Sequence, residues 1–156
     1  MPDMPQTGDP APPFELPSTE GDVSLAGVLA AGRRLVLAFY FEDATPTCQT
    51  ELSMLMDAHE LLLEFGASVI AVSADSLESH RAFAERLGDP PFPLASDTAL
   101  ETTRAYGVVD DGDPGRARRA IFLIDRDGTV MLSIPHYQPA NLAQVEAIFA
   151  ALGAEG

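Results

Sequence analysis

Lysine and tryptophan are missing from this sequence, and cysteine occurs once, at position 48. Each gap excludes something. Without lysine, the nine basic residues are all arginines, set against 24 acidic ones, for a formal net charge of −15. No basic stripe is there to neutralise phosphates, so neither nucleic acid nor an anionic membrane surface is an expected partner. The excess charge reads as solubility. A single cysteine excludes an intrachain disulfide and a dithiol redox motif, and a cytoplasmic home is the default. No apolar run approaches the ~18–20 residues of a membrane span. The opening MPDMPQTGDPAPPF has neither the basic nor the apolar region of a secretory signal. His59, His80 and His136 are scattered, without zinc-ligand spacing. Asp110-Asp-Gly-Asp113 lacks the ligand pattern of a calcium loop and reads as solvated. There is no phosphate-binding glycine loop and no nucleophile elbow. No metal is expected, and no cofactor, because the sulfur of Cys48 can itself carry a redox change.

What is present suits one globular domain over residues 1–156, with residues 1–12 as an extended arm. Phe14–Leu16 and Asp22–Ser24 read as short strands around a turn. Leu25–Ala31 reads as a short helix capped by Ser24. Residues 34–41, apolar from Leu35 on, suit a strand buried on both faces. Thr45 as N-cap and Pro46 as first helical residue open a long helix that closes at Gly66. Ser68–Ser73 is a second buried strand, Asp75–Leu87 an amphipathic helix, Phe92–Leu94 a brief strand and Asp97–Tyr106 a helix. Arg126-Asp-Gly128 turns a hairpin between 119–125 and 129–134, and Pro139–Leu152 is the last helix. This order predicts an α/β fold of thioredoxin-like plan. A central mixed β-sheet is flanked by helices on both faces, with an N-terminal β-hairpin extension.

Cys48 falls at the third helical position after the Thr45 cap. Free backbone N–H groups and the positive end of the helix dipole stabilise a thiolate there. The same groups could bind an anionic or peroxidic oxygen, and Thr45 Oγ1 could cap the Cys48 N–H. The site lies past the carboxyl end of a buried strand, where open α/β sheets place ligands. The first strand of the C-terminal hairpin runs antiparallel beside that strand, which brings Arg119 close to Cys48. Arg116 and Arg118 are expected at the surface. His59 is about 16 Å along the helix from Cys48, too far to serve as its base.

Phe41-Glu-Asp-Ala-Thr45-Pro-Thr-Cys48 resembles the Pro-x-x-x-Thr-x-x-Cys signature of the peroxiredoxins. Phe39-Tyr40, Asp43, Thr45-Pro46, Cys48 and Glu51 are similar to the bacterioferritin-comigratory-protein branch. Gly8–Leu16, Val72–Asp75, Phe92–Asp97, Ala105–Val108 and Arg119–Gly128 extend the resemblance in order along nearly the whole chain. It implies that Cys48 is a peroxidatic cysteine, oxidised by a hydroperoxide to a sulfenic acid. It also implies that Thr45 orients substrate and thiolate, and that Arg119 holds the thiolate and polarises the peroxide. Phe41, Thr47 and Glu51 line or shield the substrate side. Glu51 is read either as the partner of Arg119 or as a solvated helix carboxylate.

Two departures shape the expectation. Phe41 stands where the family has proline, and Ser53 stands where many relatives of this branch carry a resolving cysteine. If Cys48 is catalytic, the sulfenic acid must be reduced from outside, by thioredoxin, glutaredoxin or a low-molecular-weight thiol. The expected protein is thus a one-cysteine, thiol-dependent peroxidase acting on hydrogen peroxide and organic hydroperoxides, as a monomer or homodimer. The alternatives are a redox-sensing or interaction protein with little turnover, and a thioredoxin-like module whose cysteine is inert packing.

Overall fold

The computed structural model, which describes residues 4–43, 45–138 and 141–154, follows the expected order of elements. These are β1 (Glu15–Leu16), β2 (Val23–Ser24), α1 (Leu25–Ala30), β3 (Arg34–Phe39), α2 (Pro46–Glu64), β4 (Ala67–Ser73), α3 (Leu77–Leu87), β5 (Leu94–Ser96), α4 (Glu101–Ala105), β6 (Ala120–Ile124), β7 (Val130–Ile134) and α5 (Leu142–Ala154). β1 and β2 form a small antiparallel sheet. The other five strands form a mixed sheet in the order β5-β4-β3-β6-β7. β3 is parallel to β4 and antiparallel to β6.

The apolar run becomes the middle strand because both its faces are covered. Val36, Ala38 and Tyr40 face one cluster, with Cys48, Leu52, Leu55 and Leu62 of α2, Phe83 of α3, and Ile148 and Leu152 of α5. Leu35, Leu37 and Phe39 face the other, with Leu25 of α1, Tyr106 and Val108. Alternate side chains of one strand therefore bind opposite layers of helices. Each fully buried leucine contributes about 1.5–3 kcal/mol of transfer free energy. Residues 8–11 run beside the start of β7, with Gly8 N–H donating to Val130 O at 2.8 Å and Ala11 N–H to Gly128 O at 2.9 Å.

Differences from the expected boundaries have local causes. The α4 helix starts at Glu101 rather than 97 because Asp97 turns inward. Its carboxylate accepts from the Thr103 N–H and Oγ1, both at 2.7 Å, while Leu100 takes a left-handed φ of 60°. The brief strand pairs at Leu94–Ser96 rather than 92–94, since Pro93 has no N–H to give a ladder and serves β4 only as acceptor. β3 ends at Phe39, so Phe41 stands outside the strand. The expected start of the last helix at Pro139 lies outside the described residues, as do residues 1–3 of the arm.

Candidate active site

α2 opens where β3 has just ended, with Thr45 as N-cap (φ −73°, ψ 144°) and Pro46 in its first turn. Proline is preset for that position and lacks the N–H that would go unused there. Cys48 lies in that first turn, on the face turned to the sheet, and is 0% exposed. The thiol is thus held dry at the positive end of a 19-residue helix.

Thr45 does not cap as the spacing suggested. Its side chain makes no cap hydrogen bond. Instead Oγ1 donates back to Glu42 O at 3.2 Å, while the Thr45 carbonyl accepts from Gln49 N–H at 2.9 Å. The hydroxyl satisfies the turn before the helix rather than the Cys48 amide. Thr47 is exposed in the same turn.

The β3–β6 register pairs Phe39 with Ala120, so Arg119 stands beside the end of β3. Its carbonyl accepts from Tyr137 N–H at 2.9 Å. Arg119, Arg118, Phe41, Asp110, His136, Tyr137 and Gln138 line a cavity of about 210 Å³. Cys48 does not line it, but Phe41 does, and Phe41 also packs against the cluster that contains Cys48. Nε of both Arg118 and Arg119 is buried without a hydrogen-bond partner among the described residues.

Glu51 follows Cys48 by one helical turn and is 0% exposed, so it is not a solvated carboxylate. Neither of its oxygens has a hydrogen-bond partner among the described residues. Burial pushes its carboxyl well above the ordinary value, and the charge of Arg119 offsets part of this. Burial and the charge of Glu51 in turn push the Tyr137 hydroxyl up to about 12. Arg119, Glu51 and Tyr137 thus share one weakly screened neighbourhood beside the first turns of α2.

A second cluster was not legible in the sequence. Asp43, Asp75 and His80 bring their ligating atoms within 4.8 Å of one another, the one such trio among the described residues. Asp43 accepts from Tyr40 Oη at 2.7 Å, Ser79 Oγ at 2.7 Å and His80 Nδ1 at 2.9 Å. Its own N–H donates to Asp75 Oδ2 at 2.9 Å. His80 Nε2 lies 2.9 Å from Ala95 O, and since a carbonyl only accepts, that nitrogen is assigned a proton. Arg116, expected at the surface, donates to Asp75 Oδ1 at 2.7 Å and reaches Glu42 Oε1 at 3.6 Å. Its guanidinium already neutralises Asp75, so the trio reads as a hydrogen-bonded network rather than a metal site. Burial alone would raise the Asp43 carboxyl, but hydrogen bonds from His80, Tyr40 and Ser79 outweigh it and hold it below the usual range. Arg118, also expected at the surface, donates to Gly107 O at 2.7 Å.

Residues 7–133 match the AhpC/TSA family. The chain belongs to that family. As a peroxiredoxin it is 36% identical over 126 residues to peroxiredoxin Q of Sedum lineare chloroplasts, covering 80% of this chain and 66% of that protein's length. It is 34% identical over 130 residues to the putative peroxiredoxin bcp of Coxiella burnetii, covering 80% and 85%. Its fold superposes on the crystal structure of peroxidoxin BcpB from Mycobacterium tuberculosis with a TM-score of 0.85 at 29% identity, covering 96% and 97% of the two chains. These matches also carry the thioredoxin-like fold, with the small N-terminal hairpin sheet added to it.

The buried carboxyl gives this peroxiredoxin a measurable pH signature. The raised Glu51 value means that the folded chain holds a proton the unfolded chain releases. Stability therefore falls as pH rises from the ordinary carboxylate range toward the raised value. Glu51→Gln stays neutral and removes that fall. Its stability should equal the wild type's in acid and exceed it increasingly above, by at most about 1.4 kcal/mol per pH unit. Urea denaturation across acid and neutral pH checks this, and parallel curves for the two proteins would refute it.

Proposed function

We propose that this peroxiredoxin reduces hydrogen peroxide and organic hydroperoxides by a one-cysteine cycle centred on Cys48. The reading is supported by the sole cysteine standing in the first turn of α2 and by Arg119 standing beside the end of β3, the strand that leads into that helix. The Cys48 thiolate attacks one peroxide oxygen. An S–O bond forms, the O–O bond breaks, and the alcohol or water leaves after taking a proton. Arg119 and the amides of the helix start stabilise the charge that develops on the oxygens, and Thr45 orients the substrate. Phe41, Thr47 and Glu51 shape and shield the substrate side.

Ser53, five residues beyond Cys48, has no sulfur, and no second cysteine exists to resolve the sulfenic acid. An external thiol condenses with it, releasing water, and a second thiol frees Cys48 from the mixed disulfide. Thioredoxin, glutaredoxin or a low-molecular-weight thiol could serve. A cytoplasmic setting and a monomeric or homodimeric state belong to the same proposal. Among the described residues no helix is long and apolar enough to cross a membrane.

The test is stopped-flow reaction of the reduced protein with stoichiometric hydrogen peroxide, with a sulfenic-acid trap, followed by turnover with each class of thiol. Thiol loss far faster than from free cysteine, with a trapped adduct, is the expected result. Reaction at the rate of a simple thiol would sink the peroxidase reading. A redox sensor is the second reading, favoured by the full burial of Cys48 and by Phe41 in the proline position. It predicts rapid oxidation with no thiol that sustains turnover.

A further inference from the structure

We propose that Asp43 and His80 are positioning residues for this reaction, clamping the segment that carries Thr45 and Cys48; the proposal rests on the peroxidase reading. Between Phe39, the end of β3, and Pro46, the start of α2, the described residues belong to neither strand nor helix. Asp43 fastens that stretch from three sides. Tyr40 Oη reaches it from just past β3, Ser79 and His80 from α3, and its own N–H bonds Asp75 beyond the end of β4. The clamp is dry, with side-chain exposures of 0% at His80 and 3% at Asp43.

His80 is itself fixed at both ends. Nε2 is tied to Ala95 O on β5, and Nδ1 to the Asp43 carboxylate at 2.9 Å. The bond that reaches the loop is the one from Nδ1 to Asp43, two residues before Thr45, while the Nε2 bond orients the ring. A parallel tie runs from Asp75 through Arg116 to Glu42, whose carbonyl holds the Thr45 hydroxyl. Buried ion pairs are a poor source of net stability, because desolvation cancels much of the attraction. Directional bonds do fix a geometry, and reaction rate is sensitive to geometry at the sub-ångström level. Neither Asp43 nor His80 lines the Arg119 cavity, so both act through the loop.

The test uses two isosteric halves of the imidazole. His80→Asn places an amide N–H near the Nδ1 position and keeps the bond to Asp43. His80→Gln reaches toward Ala95 O and loses that bond. If the clamp positions the loop, His80→Gln should react with hydrogen peroxide up to about 100-fold more slowly per folded molecule. His80→Asn should stay within a few-fold of the wild type. Hydrogen exchange of residues 42–50 should quicken in His80→Gln and not in His80→Asn. Equal rates in both variants, or unchanged exchange over 42–50 in His80→Gln, would overturn the proposal. Should His80→Gln not fold, Asp43→Asn carries the same comparison. If the wild type reacts no faster than a simple thiol, the peroxidase reading has failed, and the clamp stands or falls on the exchange result alone.

Discussion

Cys48→Ser is expected to consume hydrogen peroxide no faster than the uncatalysed background. The reaction needs a soft, ionisable nucleophile that can attack an O–O bond. A serine hydroxyl stays protonated at neutral pH and does not do this. No other cysteine can substitute, since the chain has only one. The loss therefore equals the whole catalytic acceleration, about a million-fold for a typical enzyme at the low end. A trivial explanation must be closed off. Cys48 is 0% exposed and packs in the cluster with Leu52 and Leu55, so a serine hydroxyl there costs about 1–3 kcal/mol if it finds no partner. Cys48→Ala removes the sulfur without adding a polar group and should melt closer to the wild type. Peroxide consumption and thermal unfolding are measured for both. Retained peroxidase activity in a folded Cys48→Ala would mean that the sulfur is not the reacting atom.

Arg119→Ala is expected to slow the peroxide reaction by about 10²–10³-fold, the usual loss for one preorganised donor at a site of developing charge. The guanidinium lines the cavity beside Phe41 and Tyr137, and its field reaches Glu51, one turn from Cys48. Its main-chain bond, the carbonyl accepting from Tyr137 N–H at 2.9 Å, survives side-chain truncation. The strand should therefore keep its register. Arg119→Lys keeps the charge but not the planar fork of donors, and should fall between wild type and alanine. Arg118→Ala is the neighbouring control, since Arg118 lines the same cavity and donates to Gly107 O. The rate constant for peroxide-dependent thiol loss is the readout. An Arg119→Ala protein within a few-fold of wild type, or an Arg118→Ala protein equally slow, would remove Arg119 from its proposed role. Truncation also takes away the one charge that lowers the Glu51 carboxyl, so the fall of stability with rising pH should extend to higher pH.

Much of this was legible in residue order, for local reasons. Thr45-Pro46 marks a helix start, because a cap residue and a proline at the first position answer needs of the backbone itself. Cys48 then falls in the first turn by counting. The short run at 34–41, apolar from Leu35 on, suits a doubly covered strand, since it leaves neither face for water. Arg126-Asp-Gly128 turns the hairpin that pairs β6 with β7, and with β6 antiparallel beside β3 Arg119 falls next to the end of β3.

The rest depended on atoms far apart in sequence. Asp43 and His80 are 37 residues apart and meet only because α3 packs against β5. Arg116 reaches Asp75 across 41 positions, which no local pattern announces. Glu51 looked like either a pairing or a solvated carboxylate, because a helix position shows its face only once its neighbours are in place. Thr45 Oγ1 turned to Glu42 O rather than to the cysteine amide, a choice between two nearby acceptor–donor geometries that residue type does not decide. Covalent spacing, proline and glycine chemistry and apolar periodicity act over a few residues, so the sequence by itself determined the elements, their order and the seat of the thiol. Burial, long-range hydrogen bonds and charge neighbourhoods exist only between segments already folded together. The tertiary structure alone therefore decided which polar groups are dry, which are paired, and what holds the loop beneath Cys48.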